Sequence, residues 1–434
     1  MNRVRLVAVG VFASFATAVV LAAGAQSAPS TLEMRALKAL AAARPPVRAV
    51  AAAPTPRARP AVPRPSRPTH QTVAPAPSQP SAPGVSAPSA PAPVAAQPST
   101  DEPDPTATPT ATASPTPVPS KAGHVFVIAL NGADEAETFA DGSPATYLNE
   151  TLRPEGVLLT KFAPVDAADL PNYLAFAAGQ PPNAETQKEC ATYASFPVSA
   201  APNKKGIVPG KGCVYPNTII TLGDQVSAGG GSWRSYAEDM AAGDAGAETC
   251  RHPEDGGADD TLEPREGDAY ATRHNPFVYF HSLLDLGDCL SSDKDLTALP
   301  TDLGTVKTTP DFAYVAPNLC HDGTVETCAD GTPAGLAGAD AFLAEWVPQI
   351  LRSKAFKQDG VLIVTFLSHT GGGTDPTGAL VVSPRYAEAG TTYKRTLDPY
   401  GLLRTVEDLL GLKPLGNAAV APTVARSLVP KAFG

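Results

Sequence analysis

Several things are scarce or missing in this chain of 434 residues, and each absence narrows the reading. Basic charge is not in excess. The formal net charge is −10, which argues against a nucleic-acid partner, since such partners are held through surplus Lys and Arg. Beyond the first 25 residues no stretch is long and apolar enough to span a bilayer, which takes ~20 residues. No C-x2-C spacing occurs among the six cysteines, which argues against a structural zinc site. No internal repeat is visible, and charge almost vanishes through Thr106-Ala107-Thr108-Pro109-Thr110-Ala111-Thr112.

What is abundant is proline, 47 residues, far above the usual ~5 %. It concentrates in residues 44–120, among Ala, Ser and Thr, with Arg44, Arg48, Arg57, Arg59, Arg64 and Arg67 in the first half. Such a stretch cannot bury a core, so residues 26–122 are expected to be a disordered, partly polyproline II linker. A short helix near residues 29–43 would be too short to stand alone. Upstream, Asn2, Arg3 and Arg5 precede an apolar run over 6–25 that ends in Ala23-Gly24-Ala25, an A-x-A cleavage site. Residues 1–25 therefore read as a secretory signal, with an uncleaved anchor as the alternative. The expected location is secreted or attached to the cell envelope. Tethering to membrane or wall through the N-terminal segment fits its basic half.

Cys190, Cys213, Cys250, Cys289, Cys320 and Cys328 suit an exported chain, where an even number of cysteines implies disulfides. Pairing sequence neighbours is the simplest of many connectivities: Cys190–Cys213, Cys250–Cys289 and Cys320–Cys328.

Order is expected from residue 123 to 434, as one α/β domain with a central, mostly parallel sheet flanked by helices. His124-Val125-Phe126-Val127-Ile128-Ala129-Leu130 is a continuous apolar run, the mark of a strand buried on both faces. Further strands are expected at 156–160, 232–236, 312–317, 361–366 and 378–382. Helices are expected after Asp169, over 219–226, from Asn275 through Phe280, over 337–351 and over 402–410. Residues 181–268 are rich in Gly, Asp and Pro and should be mostly loop.

The stretch 165–179, Val-Asp-Ala-Ala-Asp-Leu-Pro-Asn-Tyr-Leu-Ala-Phe-Ala-Ala-Gly, reads as a loop entering a helix. Asp169 is the expected N-cap, Pro171 sits in the first turn, and Gly179 ends the helix. A helix N-terminus is also where an anion binds, so the same stretch offers a phosphate site or a plain cap.

Leu170-Pro171-Asn172-Tyr173-Leu174-Ala175 resembles the signature of the bacterial phosphoesterase family of phospholipases C and acid phosphatases, in the alkaline-phosphatase superfamily. So do Ser-Trp-Arg-Ser-Tyr-Ala-Glu-Asp-Met at 232–240, Arg-His-Asn-Pro-Phe-Val-Tyr-Phe at 273–280, Pro-Asn-Leu-Cys at 317–320 and Leu-Leu-Arg-Thr-Val-Glu-Asp-Leu-Leu-Gly-Leu at 402–412. The resemblance implies an alkaline-phosphatase-like fold and metal-assisted phosphoester hydrolysis.

The positions that carry that chemistry are altered. Where the family has its Ser or Thr nucleophile, this chain has Asp169. Where the family has Glu-Asn, it has Asn131-Gly132, with Asp134, Glu135 and Glu137 nearby. Where the family has Asp-Glu, it has Leu367-Ser368, followed by His369 and Asp375. The Asn-Asp-x-His block has become His321-Asp322-Gly323-Thr324, and His-Tyr-Ser has become Pro399-Tyr400-Gly401 after Asp398. Asn172, His274 and Asp322 survive as candidate ligand-binding residues, and Asp169 holds the catalytic position.

The expectation is a secreted, non-catalytic binding protein with no cofactor, whose partner is a phosphoester, a lipid headgroup or an envelope polymer. The alternative is an active phosphoesterase with a rebuilt site. A divalent metal would then sit on Asn131, Asp169, Asp322 and His369.

Overall fold

The structure, a computed structural model, describes residues 121–428 except 133, 198–199, 244–245, 325–326 and 386. The expectations for the signal segment, the helix near 29–43 and the proline-rich stretch to residue 120 lie outside the described residues.

Eight strands of the described chain build one large sheet. They are β1 (His124–Gly132), β2 (Gly156–Leu159), β4 (Trp233–Ala237), β6 (Asp293–Asp295), β7 (Phe312–Ala316), β8 (Gly360–His369), β9 (Ala379–Val382) and β10 (Thr391–Tyr393). Their order across the sheet is β10-β2-β9-β8-β1-β7-β4-β6. A two-stranded sheet pairs β3 (Thr192–Tyr193) with β5 (Gly257–Ala258). In the large sheet β9 runs antiparallel to both β2 and β8, and the other pairings are parallel. The expected mostly parallel α/β architecture is present.

β1 lies at the centre, between β7 and β8, and all nine of its residues are buried. Its alternation divides it between two cores. Val125, Val127 and Ala129 join one, while Phe126, Ile128 and Leu130 join the other. Helices cover both faces, so polar alternation would be penalised and the run reads as uniformly apolar. Each large side chain buried this way contributes about 1.5–3 kcal/mol.

The first core takes helix α1 (Asp169–Ala178) and helix α5 (Pro399–Leu410). The second takes Phe342, Leu343, Val347 and Ile350 of helix α3 (Gly335–Arg352), and Phe356 of the short helix α4 (Lys354–Asp359). α5 begins with Pro399 at a first-turn position and Asp398 accepting from the Gly401 N–H at 2.8 Å. It ends at Gly411 in the left-handed region.

Two helix expectations are corrected. The helix expected over 219–226 is α2 (Leu222–Ala228). A capping box sets its start: Thr221 Oγ1 accepts from Asp224 N while Asp224 Oδ2 accepts from Thr221 N. The helix expected from Asn275 is instead a pair of 3-10 turns, Thr272–His274 and Pro276–Tyr279, ending at extended Phe280. Asn275 precedes a proline, which disfavours helical backbone and breaks the run.

The three neighbour cysteine pairs are joined, with Cα–Cα separations of 5.8, 5.4 and 5.3 Å. Among the described residues no helix is long and apolar enough to cross a membrane.

Candidate functional site

Ligands of open α/β sheets gather outside the carboxyl ends of the strands. Asn131 lies at that end of β1, Ser368 and His369 at that end of β8, and Asp322 in the loop after β7. A register shift between Leu130 and Asn131 sets Asn131 opposite Ser368. Gly323 lets the loop press against β1, because a Cβ there would collide with the Asn131 carbonyl oxygen. His274 reaches in from its 3-10 turn, and Asp169 from the start of α1.

The start of α1 differs from expectation. Ala168 is the N-cap residue, Asp169 is already helical, and no side chain of the helix's own entry caps it. Glu189 does so from 20 residues downstream. Its Oε1 accepts from the Asp169 N–H at 2.7 Å and its Oε2 from the Leu170 N–H at 2.9 Å. A carboxylate against two free N–H groups is favourable at a helix N-terminus. Burial, and then the Asp169 charge, still raise the Glu189 carboxyl above its ordinary value, partly offset by the two N–H groups. The end of α1 is as expected: Gly179 has φ 68°, and any side chain there would meet the Leu415 carbonyl.

Released from capping, the Asp169 carboxylate turns inward. Oδ1 accepts from Ser368 Oγ at 2.5 Å and Oδ2 from Arg273 Nε at 3.3 Å. Burial alone would raise this carboxyl, but His274, Arg273 and Ser368 together hold it down at about 2. It is a fixed anion. The guanidinium opposite is only 11 % exposed, and its charge survives burial because the Asp169 and Glu189 carboxylates face it.

His274 Nε2 faces three groups: Asn131 Nδ2 at 3.0 Å, Asp322 Oδ2 at 3.5 Å and Asp169 Oδ2 at 4.0 Å. Tyr173 stacks on the imidazole with ring centroids 5.1 Å apart, and its hydroxyl donates to Asn131 Oδ1 at 2.9 Å. His274 Nδ1 is buried without a partner. Asp322 is fully buried. Thr324 donates to it from both N and Oγ1, and Asn131 Nδ2 reaches Oδ2 at 3.3 Å. Burial raises the Asp322 carboxyl, with His274 and Thr324 opposing.

Asp169, His274, Asp322 and Asn131 are thus brought together. Asn172 and His369 are not part of that group. The Asn172 amide is spent on its own loop: Oδ1 accepts from Val165 N and Asp166 N, and Nδ2 donates to Asp166 O and Ala168 O. His369 Nε2 pairs with exposed Asp134 at 2.9 Å. Sequence reasoning missed Arg273, Ser368, Tyr173 and Glu189. Arg273 and Tyr173 lie inside the quoted family blocks and could have been weighed as charge and stacking partners. Glu189 had no local signal.

A divalent cation needs anionic oxygens free to ligate. Here Asp169 and Asp322 already accept from Ser368, Arg273, Thr324 and Asn131, and Arg273 supplies the positive charge. These residues do not fit such an ion. Among the described residues, Cys250, Cys289 and Asp293 bring three donor atoms within 4.8 Å of one another, but those two sulfurs are bonded to each other.

No protein-family model matches the chain. A phosphate-repressible acid phosphatase of Penicillium chrysogenum is 26 % identical over 217 residues, half of this chain. The match spans 42 % of that relative's length. Among solved structures, a putative sulfatase from Bacteroides thetaiotaomicron superposes with a TM-score of 0.42 at 12 % identity, over 71 % of this chain and 75 % of that one. A protein in the alkaline phosphatase superfamily from Vibrio parahaemolyticus gives 0.38 at 12 %, over 70 % and 69 %. The phosphonate monoester hydrolase of Agrobacterium radiobacter gives 0.36 at 12 %, over 67 % and 74 %.

Proposed function

We propose that this chain is a phosphoesterase-fold protein that has exchanged metal chemistry for internal charge compensation, and that it acts by binding at the cell envelope. The observation that carries the reading is the Asp169 carboxylate. Both of its oxygens are engaged, one by Ser368 and one by Arg273, at the position where the resembled family places an alcohol nucleophile. The guanidinium of Arg273 brings to that carboxylate the positive charge that a metal ion would otherwise bring. Glu189 likewise occupies the N–H groups that a substrate phosphate would use. Removing one charge-stabilising group commonly costs ~10²–10³ in rate, and here several are absent together.

Open space lies elsewhere, lined by a residue next to Asp322 in sequence. A cleft of about 280 Å³ is lined by Glu238, Asp239, Arg265, Asp268 and His321, the last adjacent to Asp322. His321 Nδ1 lies 2.9 Å from Glu238 Oε1, and that contact, against the opposing effect of burial, raises the imidazole above its ordinary value. A lining of acids with an imidazole and a guanidinium favours a hydroxyl- or amine-bearing envelope polymer over a phosphoester or lipid phosphate.

The alternative is an active phosphoric-ester hydrolase with a rebuilt site. It is favoured by one observation, the approach of His274 to Asp322 and Asp169 within 3.5 and 4.0 Å. Assay of the purified chain with p-nitrophenyl phosphate, with and without Zn²⁺, Mn²⁺ or Ca²⁺, separates the two. The binding reading expects no turnover and no metal-dependent thermal shift. Metal-dependent turnover lost in Asp169→Asn would overturn it.

A further inference from the structure

A second polar cluster stands apart from the Asp169 site and is used by nothing described so far. Ser195 Oγ lies 2.9 Å from His281 Nε2, and His281 Nδ1 lies 3.0 Å from Asp285 Oδ1. We propose that these three residues form a hydrolytic site for carboxylic esters with an apolar acyl chain. Ser195 is the nucleophile and His281 the base, while Asp285 positions the imidazole.

Each ring nitrogen has the partner its role requires: the hydroxyl on Nε2 and a carboxylate on Nδ1. Both catalytic residues hang from one stretch of backbone. Ser195 bridges to Val214, whose N–H and that of Cys213 donate to the Ala194 carbonyl, and Cys213 is tied to Cys190. Tyr215 bridges to Phe280, and its carbonyl accepts from the His281 N–H at 3.0 Å. Relative motion of nucleophile and base is therefore restrained by pairing on both sides of residues 213–215.

The cluster is open to reagents. The His281 and Asp285 side chains are 32 % and 49 % exposed, unlike the Asp322–His274 pair at 0 % and 1 %. Leu286 and Leu290, one and five residues past Asp285, are large apolar side chains left 79 % and 62 % exposed. Their exposure, so near Asp285 in the chain, is the ground for the acyl preference.

Asp255 Oδ1 also accepts from Ser195, from N at 2.8 Å and from Oγ at 2.9 Å. It fixes the serine backbone and holds the hydroxyl proton at rest. Rotation about Cβ–Oγ transfers that hydrogen bond to His281 Nε2 at an equal distance. Oγ then attacks the ester carbonyl carbon as Nε2 takes the proton. The carbonyl–alkoxy bond breaks, and Nε2 returns the proton to the departing alcohol. Water, deprotonated by Nε2, cleaves the acyl-serine, releasing the acid and restoring the hydroxyl.

The test treats the full chain with a fluorophosphonate probe and follows hydrolysis of p-nitrophenyl acetate and octanoate. One equivalent of label mapped to Ser195 by peptide mass spectrometry is expected, with octanoate preferred. Ser195→Ala should abolish both readouts, and His281→Gln should slow labelling ~10²–10⁴-fold. Asp285→Asn should lower kcat with KM and melting temperature unchanged. Changing Leu286 and Leu290 to Ser should erase the octanoate preference. An unlabelled, inactive wild-type chain would overturn the proposal and leave the cluster a hydrogen-bond clasp only. Hydrolysis surviving in Ser195→Ala would overturn it as well. Label mapping on the wild-type protein decides between these outcomes whether or not any variant folds.

Discussion

At Asp169 both carboxylate oxygens have a donor and a guanidinium stands against them. At Ser195 one proton is shared between two acceptors, and the imidazole beside it is open to solvent. Both clusters contain His and Asp. The first has spent its carboxylate oxygens on its own donors and leaves only the buried His274 Nδ1 unpaired, while the second keeps a part-exposed imidazole to offer. The contrast teaches that residue type is a poor guide to chemistry until the partners of each atom are counted.

The sharpest way to break the contrast is to remove the compensating charge. Arg273→Ala leaves Asp169, Glu189 and Asp322 facing one another in a mostly buried space. Losing one partner of such a pair costs about 3–5 kcal/mol, measurable by urea unfolding. A loss under about 1 kcal/mol would show that the cluster is not closed by charge. At the other cluster, replacing Cys190 and Cys213 by Ala releases a 23-residue separation and should cost about 3 kcal/mol. It should also slow probe labelling at Ser195, whereas equal labelling would detach that residue from the cross-link.

A pH series sharpens the Asp169 side. Its carboxyl is lowered from an ordinary 3.8 to about 2. The stabilisation is therefore complete above about pH 4 and is lost as pH falls through about 2. It amounts to ~2 kcal/mol. Asp169→Asn should remove that acid-side dependence, and an unchanged profile would contradict the ion pair. The smallest effect is expected for Glu189→Gln, about 1 kcal/mol, since an amide still meets one N–H but loses the charge at the helix end.

Much of the frame was legible because its causes are local. A continuous apolar run gave β1, glycines after apolar helices gave the ends of α1 and α5, and short spacings gave the three disulfides. The site was legible in part, since Asp169, His274, Asp322 and Asn131 do meet. The failures are long-range. Asp169 was expected to cap its own helix, but Glu189 does that from 20 residues away, leaving the aspartate free to meet Arg273, 104 residues on. Ser195 and His281 are 86 apart, and nothing near either one announces the other. A pattern of acids and imidazoles suggests a bound ion, and it hides the cation that the chain already carries in Arg273.

Glu189 sits next to Cys190, whose sulfur is tied to Cys213. The first turn of α1 is therefore finished by a strap that is held taut covalently. Reducing that bond would loosen the anchor beside Glu189, and the N–H groups of Asp169 and Leu170 would then depend on water for their acceptors. The cross-link at 190 and 213 thus anchors the residue beside the one that completes the helix start, so a covalent bond stands one position away from the charge that α1 borrows.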